Sequence, residues 1–270
     1  MWVGVAARLT GAHVVYDAHE LWPDRNGRPE ARPWLLAAEA LFVRAADEVV
    51  TASPGYAEVL AHRYRIPRPR VVRNIPAGAP VPGPPRDGGP TLVYAGGLIG
   101  GRGLEEAIAA LALLPGVRLR LIGPGTEARR AALRALAEAA GAGDRLELLG
   151  PVPHDRLVAA LAGADAGLCL IQPVCRSYEL TLPNKLFEYA AAGLPVLATD
   201  LPVIGRVVRE HGLGELAAPG SAVAVAEAAR RLLAPERNLA ARRAAEAFAR
   251  EHTWERERGV LAEAYAVRAR

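Results

Sequence analysis

The run Ser177–Asp200 (SYELTLPNKLFEYAAAGLPVLATD) places one lysine and one glutamate, Lys185 and Glu188, in the opening turns of a segment that reads as a helix. Thr181 suits the N-cap and Pro183 the first turn, while Leu186, Tyr189 and Ala190 form an apolar face with Lys185 and Glu188 off it. A helix N-terminus gathers unpaired N–H groups and the positive end of the helix dipole, so it can hold a phosphate. An ionised carboxylate such as Glu188 accepts several hydrogen bonds and can take two adjacent ribose hydroxyls. The plain alternative is an amphipathic helix with a solvated Glu and Lys.

Two glycine-rich loops add to this chemistry. Tyr94–Gly103 (YAGGLIGGRG) lets backbone approach a ligand at Gly96 and Gly97, and Arg102 sets a fixed cation beside a helix start, an arrangement suited to a diphosphate. Gly123–Ala128 (GPGTEA) matches the G-x-G-x-x-A dinucleotide pattern, with Glu147 about twenty residues on. Against a cofactor there, this loop belongs to the second βα unit of its domain, and Pro124 lacks an amide that would face a pyrophosphate.

These loops need strands to end in them, and the pattern supplies strands. Strand-like and helix-period segments alternate, which is the signature of βαβ units and gives an α/β class. Strands are expected at His13–Tyr16, Glu48–Thr51, Arg70–Arg73, Thr91–Ala95, Val117–Ile122, Leu146–Leu149, Ala166–Ile171 and Pro195–Ala198. Helices are expected at Pro33–Ala46, Ser53–Tyr64, Gly103–Leu114, Glu127–Ala140, Asp155–Ala162, Pro183–Ala192, Val203–Glu210 and Glu236–Arg250. Asn74–Pro90 holds six Pro and four Gly in seventeen residues, which neither a helix nor a central strand tolerates, so it reads as a linker. The expected organisation is a partial first domain at 1–76, a linker at 77–90, a complete doubly wound domain at 91–250 and a C-terminal helix at 251–270 that packs back on the first domain.

Composition narrows the class. The 270 residues are 51% apolar and 23% charged, and no run approaches the roughly 18 apolar residues of a membrane span. With no basic segment leading into an apolar run at the start, a cytoplasmic protein is expected. The net charge is +4, yet residues 86–228 carry thirteen basic against fifteen acidic side chains, which argues against a nucleic-acid groove across the main body. Five Arg between Arg63 and Arg73, with no acid among them, read as a solvated face or as a patch for a membrane surface or phosphate. Cys169 and Cys175 lie six apart, the spacing of neither a redox pair nor a zinc pair, and are expected to be inert thiols.

Taken together, VVYDAHELWP (Val14–Pro23), ADEVVTASPGYAEVL (Ala46–Leu60), VVRNIP (Val71–Pro76), YAGGL, RGLEEAI, LIGPG, LLGPVPHDRL and LPNKLFEYAAAGLPVLATD resemble the GT-B glycosyltransferases of the family 4 type along nearly the whole chain. The resemblance implies a GT-B-like fold of two Rossmann-like doubly wound domains, here with the N-terminal one incomplete. It implies transfer of a sugar from a nucleotide sugar to an acceptor hydroxyl, with retention and without metal or other cofactor. The donor would lie on the C-terminal domain and the acceptor in the interdomain cleft.

Carried onto this chain, the resemblance gives Glu188 the ribose, Arg102 the diphosphate and Val152 a backbone contact to the base. Gly96, Gly97, Gly123, Leu182, Pro183, Asn184 and Lys185 complete the nucleotide-sugar set, and Glu179 and His19 are the catalytic candidates. His19 matches a histidine at the rim of the acceptor cleft. The first Glu of the family's E-x7-E motif falls at Leu180, so either Glu179 takes over its contact to the donor sugar or backbone amides near Thr181–Leu182 do. Gly97 stands where many members have a second phosphate-binding Arg. The family's Gly-rich acceptor loop corresponds to sequence upstream of Met1, so a partner chain or an oligomer mate would complete the N-terminal domain, with peripheral membrane contact a further expectation. Two other readings compete: a nucleotide-sugar-binding subunit without turnover, and an NAD-dependent oxidoreductase built on GPGTEA.

Overall fold

The computed structural model describes residues 7, 10–25, 29–77 and 89–266, and its packing resolves them into two units. The first holds the chain up to Ile75 together with Val174–Leu182 and the segment from Thr253; the second holds Pro76–Pro173 and Pro183–His252. Residues 78–88 of the expected linker lie outside the described residues.

In the first unit, β1 (Val15–Ala18), β2 (Glu48–Thr51) and β3 (Arg70–Val71) form a parallel sheet in that order. Helix α1 (Arg32–Ala45) follows β1, and α2 (Pro54–Tyr64) follows β2. Ser53 caps α2: its extended backbone lets Oγ accept from the Gly55 amide at 3.2 Å, and Pro54 occupies the first turn, where no N–H is needed. The same hydroxyl donates to the Leu180 carbonyl at 2.6 Å, and the Tyr56 hydroxyl donates to the Ser177 carbonyl at 2.8 Å. Those two bonds hold the later segment containing the short helix Arg176–Glu179 in this unit.

Buried charge organises its interior. Glu39, fully buried on α1, accepts from the hydroxyls of Tyr16 at 3.2 Å and Tyr64 at 2.6 Å. Asp24, also buried, accepts from Arg32 Nε and Nη2 at 3.0 and 2.8 Å and pairs with Arg63. In the arginine cluster, Arg63 pairs with Asp24, Arg68 with Glu58, Arg70 with Glu48 and Glu263, and Arg73 with Glu257. Among the described residues no helix is long and apolar enough to cross a membrane.

In the second unit, β4 (Thr91–Ala95), β5 (Arg118–Ile122), β6 (Leu146–Leu149), β7 (Ala166–Cys169), β8 (Val196–Thr199) and β9 (Gly214–Ala217) form one parallel sheet in the order β6-β5-β4-β7-β8-β9. Every residue of β7 and β8 is buried, as expected for central strands with both faces covered. Leu92, Tyr94, Leu119, Leu121, Leu168 and Leu197 belong to the core between this sheet and its helices. The helices are α3 (Leu104–Ala110), α4 (Glu127–Ala139), α5 (His154–Leu161), α7 (Asn184–Ala191), α8 (Pro202–His211), α9 (Ala222–Leu233) and α10 (Pro235–Glu251), with α6 the Arg176–Glu179 turn of the first unit.

Two elements go beyond those read from sequence. Strand β9 (GELA) is short and carries Gly and Glu, so it has little intrinsic strand signal; Gly214 is required because a Cβ there would lie 1.9 Å from the Val196 carbonyl oxygen. Helix α9 begins in alternating Ala and Val, which obscures the helical period, yet Val225, Ala226, Ala229 and Leu232 are all buried. The last helix, α11 (Trp254–Tyr265), lies on β2 and β3 in the first unit. Its buried Glu257 accepts from the Arg73 amide at 2.6 Å and from the Arg73 guanidinium.

Candidate functional site

The strand order reverses between β4 and β7, so the crevice at their carboxyl ends is where an open α/β sheet binds its ligand. The loop leaving β4 carries Gly96, Gly97 and Arg102. Gly96 has a positive φ of 140°, its amide donates to the Ile122 carbonyl at 2.9 Å, and the Tyr94 hydroxyl donates to the Gly97 carbonyl at 2.8 Å. Arg102 sits between Gly101 and Gly103, both in the left-handed region, and a Cβ on Gly103 would lie 2.2 Å from the Leu170 carbonyl oxygen. Helix α3 can therefore begin beside the end of β7 only with glycine at that position.

Gln172, which sequence reading did not single out, ties the loops together. Its amide donates to the Gly101 carbonyl at 3.0 Å, its side-chain NH2 to the Leu170 carbonyl at 2.9 Å, and its side-chain oxygen accepts from the Gly220 amide at 2.7 Å. A lone Gln carries no motif, so only the fold reveals this role.

Helix α7 departs from expectation in two respects. Thr181 is not its cap: Pro183, extended at φ −79° and ψ 149°, is the N-cap residue, and no side chain caps the helix. Proline has no N–H to place in a preceding turn, so the helix starts after it, at Asn184. Nor do Glu188 and Lys185 lie on an exposed face. Leu186 through Ala191 are all buried, Glu188 among them at 8% exposure, and Lys185 is half-buried.

The electrostatics of this pair are unusual for a surface helix. Burial raises the Glu188 pKa above the usual carboxylate value, and the fields of Lys185 and His154 oppose that rise without a hydrogen bond from either. Burial lowers the Lys185 ammonium; the neighbouring Cys169 and Glu188 raise it and the Arg102 charge lowers it further. Lys185 Nζ lies 5.0 Å from the centre of the Tyr94 ring, and a Cβ on Gly96 would come within 2.7 Å of it. Arg102, Lys185, Glu188 and the Gly96 turn thus converge at the switch point. Cys169 is buried beneath them, its thiol pushed up to about 12 chiefly by burial, so it is not an activated thiol; Cys175 is half-buried.

The remaining residues singled out in the sequence are distributed as follows. Gly123 ends β5, with φ 146°, and its Cβ would lie 2.0 Å from the Gly96 carbonyl oxygen; Gly125 likewise packs on Leu98. Arg130 Nη2 donates to the carbonyls of Gly123 at 2.7 Å and Leu149 at 3.0 Å, and Thr126 caps α4 by accepting from the Arg129 amide at 3.2 Å. The GPGTEA glycines therefore serve contact between two loops. They follow the second strand of the unit, one position away from the switch, which removes the structural basis of the dinucleotide reading. Val152 lies half-buried in the loop after β6, next to α5. His19, Glu179 and Leu182 belong to the first unit: His19 is exposed with Nε2 3.6 Å from Asp17, Glu179 pairs with Arg176 at 2.8 Å, and Leu182 is buried.

The second unit is thus a complete doubly wound α/β domain whose polar groups collect at its ligand-binding crevice. A family profile described as Glycosyl transferases group 1 matches residues 89–235, and one described as Glycosyl transferase 4-like domain matches residues 1–77. The chain belongs to the group 1 glycosyltransferases.

Among relatives, the exopolysaccharide phosphotransferase of Streptomyces coelicolor is 30% identical over 241 residues, 87% of this chain and 24% of that protein. The 2-deoxystreptamine glucosyltransferase of Streptomyces kanamyceticus is 27% identical over 252 residues, 85% of this chain and 63% of that protein. The chain therefore spans less than two thirds of the length of either relative. Among solved structures, Anabaena Alr3699/HepE in complex with UDP superposes with a TM-score of 0.80 at 17% identity, over 96% of this chain and 74% of that one. The α/β, GT-B-like fold expected from the sequence is the fold found.

Proposed function

We propose that this chain binds a nucleoside-diphosphate sugar on its second unit and transfers the sugar to an acceptor hydroxyl with retention and without a metal. The observation that carries the reading is Glu188: a carboxylate at 8% exposure with no hydrogen-bond partner among the described residues, at the crevice between β4 and β7, accompanied by two cations. Its oxygens can accept hydrogen bonds from a ligand in the crevice, and vicinal ribose hydroxyls supply two. Arg102, Lys185 and the uncapped start of α7 would stabilise the departing diphosphate, the charge-stabilising part of the catalysis. The β-phosphate oxygen would then take the acceptor proton on the face the sugar leaves. Glu179 or the backbone near Thr181–Leu182 would steady the donor sugar, His19 would face the acceptor, and Val152 would meet the base.

A second reading is donor binding that needs another chain for turnover; among the described residues the sheet of the first unit has three strands and that of the second six. Two free thiols suit a reducing cytoplasm as the place of action.

The test is thermal unfolding of the chain with UDP, GDP, ADP and NAD in turn, since a ligand that binds only the folded state raises its stability. One nucleoside diphosphate is expected to stabilise the chain and NAD is not. The shift should vanish in Glu188→Ala, and sugar transfer with it. Stabilisation without transfer by the chain alone would favour the binding-subunit reading; an undiminished shift in Glu188→Ala would refute the role given to Glu188.

A further inference from the structure

The loop that leaves β4 is fixed at both stems and open at its tip. On the first stem the amide, carbonyl and side chain of Leu98 are all engaged. The amide donates to the Pro124 carbonyl at 2.8 Å, the carbonyl accepts from Arg129 Nε at 3.2 Å, and the buried side chain packs on Gly125, where a Cβ would lie 2.9 Å from Leu98 Cβ. At the tip, Ile99 and Gly100 are exposed, and a Cβ on Gly100 would meet nothing within 4 Å. The second stem carries Arg102 and runs into α3, where Glu105 Oε1 lies 2.6 Å from Arg129 Nη2. One guanidinium, held on α4, therefore bridges the two stems of this loop.

Helix α4 itself does not call for a cation at that position. Arg129 is in its first turn, where a positive charge opposes the helix dipole. Burial pushes the Glu105 carboxyl up, but the Arg129 guanidinium and the Glu105 amide outweigh it and hold the carboxyl below its ordinary value, so the two side chains meet as ions. A planar guanidinium has donors on separate nitrogens and can hold a carbonyl and a carboxylate at a fixed separation; a single ammonium lacks that geometry. The stretch from Gly123 to Arg129 thus acts as a clamp: Gly123 and Gly125 leave room for the β4 loop, and Arg129 ties it down.

Resting on the nucleoside-diphosphate reading above, we infer that Arg129 is a positioning residue: by tying Leu98 to Glu105 it fixes the loop between them and so aims Arg102 at the diphosphate. It acts through Arg102 and not on the ligand. Support of this kind removes ordering that binding would otherwise have to bring about.

Isothermal titration with the nucleoside diphosphate that stabilises the wild-type chain, and with its parent nucleoside, gives the ratio of the two affinities, which a loss of stability alone does not change in a folded variant. Arg129→Met is expected to lower that ratio about tenfold. Combined with Arg102→Ala it should lower the ratio no further than Arg102→Ala does by itself, because a residue that acts through Arg102 then has nothing left to position. Glu105→Gln separates positioning from plain electrostatics. Removing a negative charge would strengthen diphosphate binding by its field alone, whereas loosening the clamp weakens it, and a weakening of about threefold is expected. Circular dichroism melting shows which variants are folded; should Arg129→Met not fold, Glu105→Gln decides. An unchanged ratio in a folded Arg129→Met, unchanged or tighter diphosphate binding in Glu105→Gln, or a full additional loss when Arg129→Met is added to Arg102→Ala would overturn the inference while leaving the nucleotide reading in place. Failure of the wild type to bind any nucleoside diphosphate would overturn both.

Discussion

The ring of Tyr189 occupies the space that a side chain at residue 167 would need: a Cβ on Gly167 would lie 2.3 Å from Tyr189 Cγ. The phenol donates to the Leu168 carbonyl at 2.9 Å and accepts from the Ala95 amide at 3.2 Å, so one hydroxyl spans the two strands that border the switch point. Because Tyr189 follows Glu188 on α7, this contact also sets where the carboxylate lies.

Gly167→Ala forces overpacking against an aromatic ring in a fully buried strand and is expected to cost about 1–3 kcal/mol. Tyr189→Phe, which keeps the ring and loses the bridge, is expected to cost about 1 kcal/mol. Urea unfolding measures both. Were Gly167→Ala as stable as wild type, the ring would not be confined as described.

In the first unit, Ser53 both caps α2 and holds the Leu180 carbonyl. Ser53→Ala removes both hydrogen bonds inside a buried site and is expected to cost about 2 kcal/mol. The segment Val174–Leu182 should then exchange its amide hydrogens faster, whereas a variant that slows or leaves exchange unchanged would show that Tyr56 suffices to hold it.

Two carboxyls in that unit respond to acid in opposite directions. Burial pushes Asp24 up, but the hydrogen bonds and charges of Arg32 and Arg63 outweigh it and hold the carboxyl below its ordinary 3.8. Its stabilising contribution is complete above pH 3.8 and is lost as the pH falls through the folded value. Glu39 is held above 4.5 by burial despite its two tyrosines, so its contribution is complete below pH 4.5 and is lost as the pH rises through the folded value. Asp24→Asn should therefore cost about 3 kcal/mol at neutral pH and flatten the acid limb of the stability profile below 3.8. A parallel acid limb in the variant would exclude Asp24 as its source.

Glu257 fixes α11 to the end of β3 through Arg73. Glu257→Ala leaves the Arg73 amide and guanidinium without that acceptor and is expected to cost on the order of 2 kcal/mol. Limited proteolysis should then cut within Trp254–Tyr265 before any other helix of the first unit. Unchanged resistance would mean that His13, which meets the Ala264 carbonyl at 2.9 Å, and Arg70, which pairs with Glu263, hold the helix without it.

What could be read from residues alone was what depends on near neighbours in the chain. Alternation and apolar runs located β2, β4 and β6 at their observed bounds, Ser53 and Pro54 marked the start of α2, and the glycines at 96–103 marked a strand-end turn. Each is governed by backbone geometry or a local hydrogen bond, so a window of a few residues contains the cause.

Tertiary structure decided whatever depended on pairing across long separations. Glu188 reads as a surface residue on a helical wheel, yet α7 is buried nearly all round because it lies beside β7 and β8 and against α10. The GPGTEA glycines match a ligand-binding pattern, but contact with Gly96 and Leu98 about 27 residues away accounts for them. The arginines at 63–73 are a run of like charge in the sequence, and the fold brings Asp24, Glu48, Glu58, Glu257 and Glu263 to them. In each case the deciding atom belongs to a different element or loop, and packing, desolvation and charge pairing act on distance in space, which the order of residues along the chain does not specify.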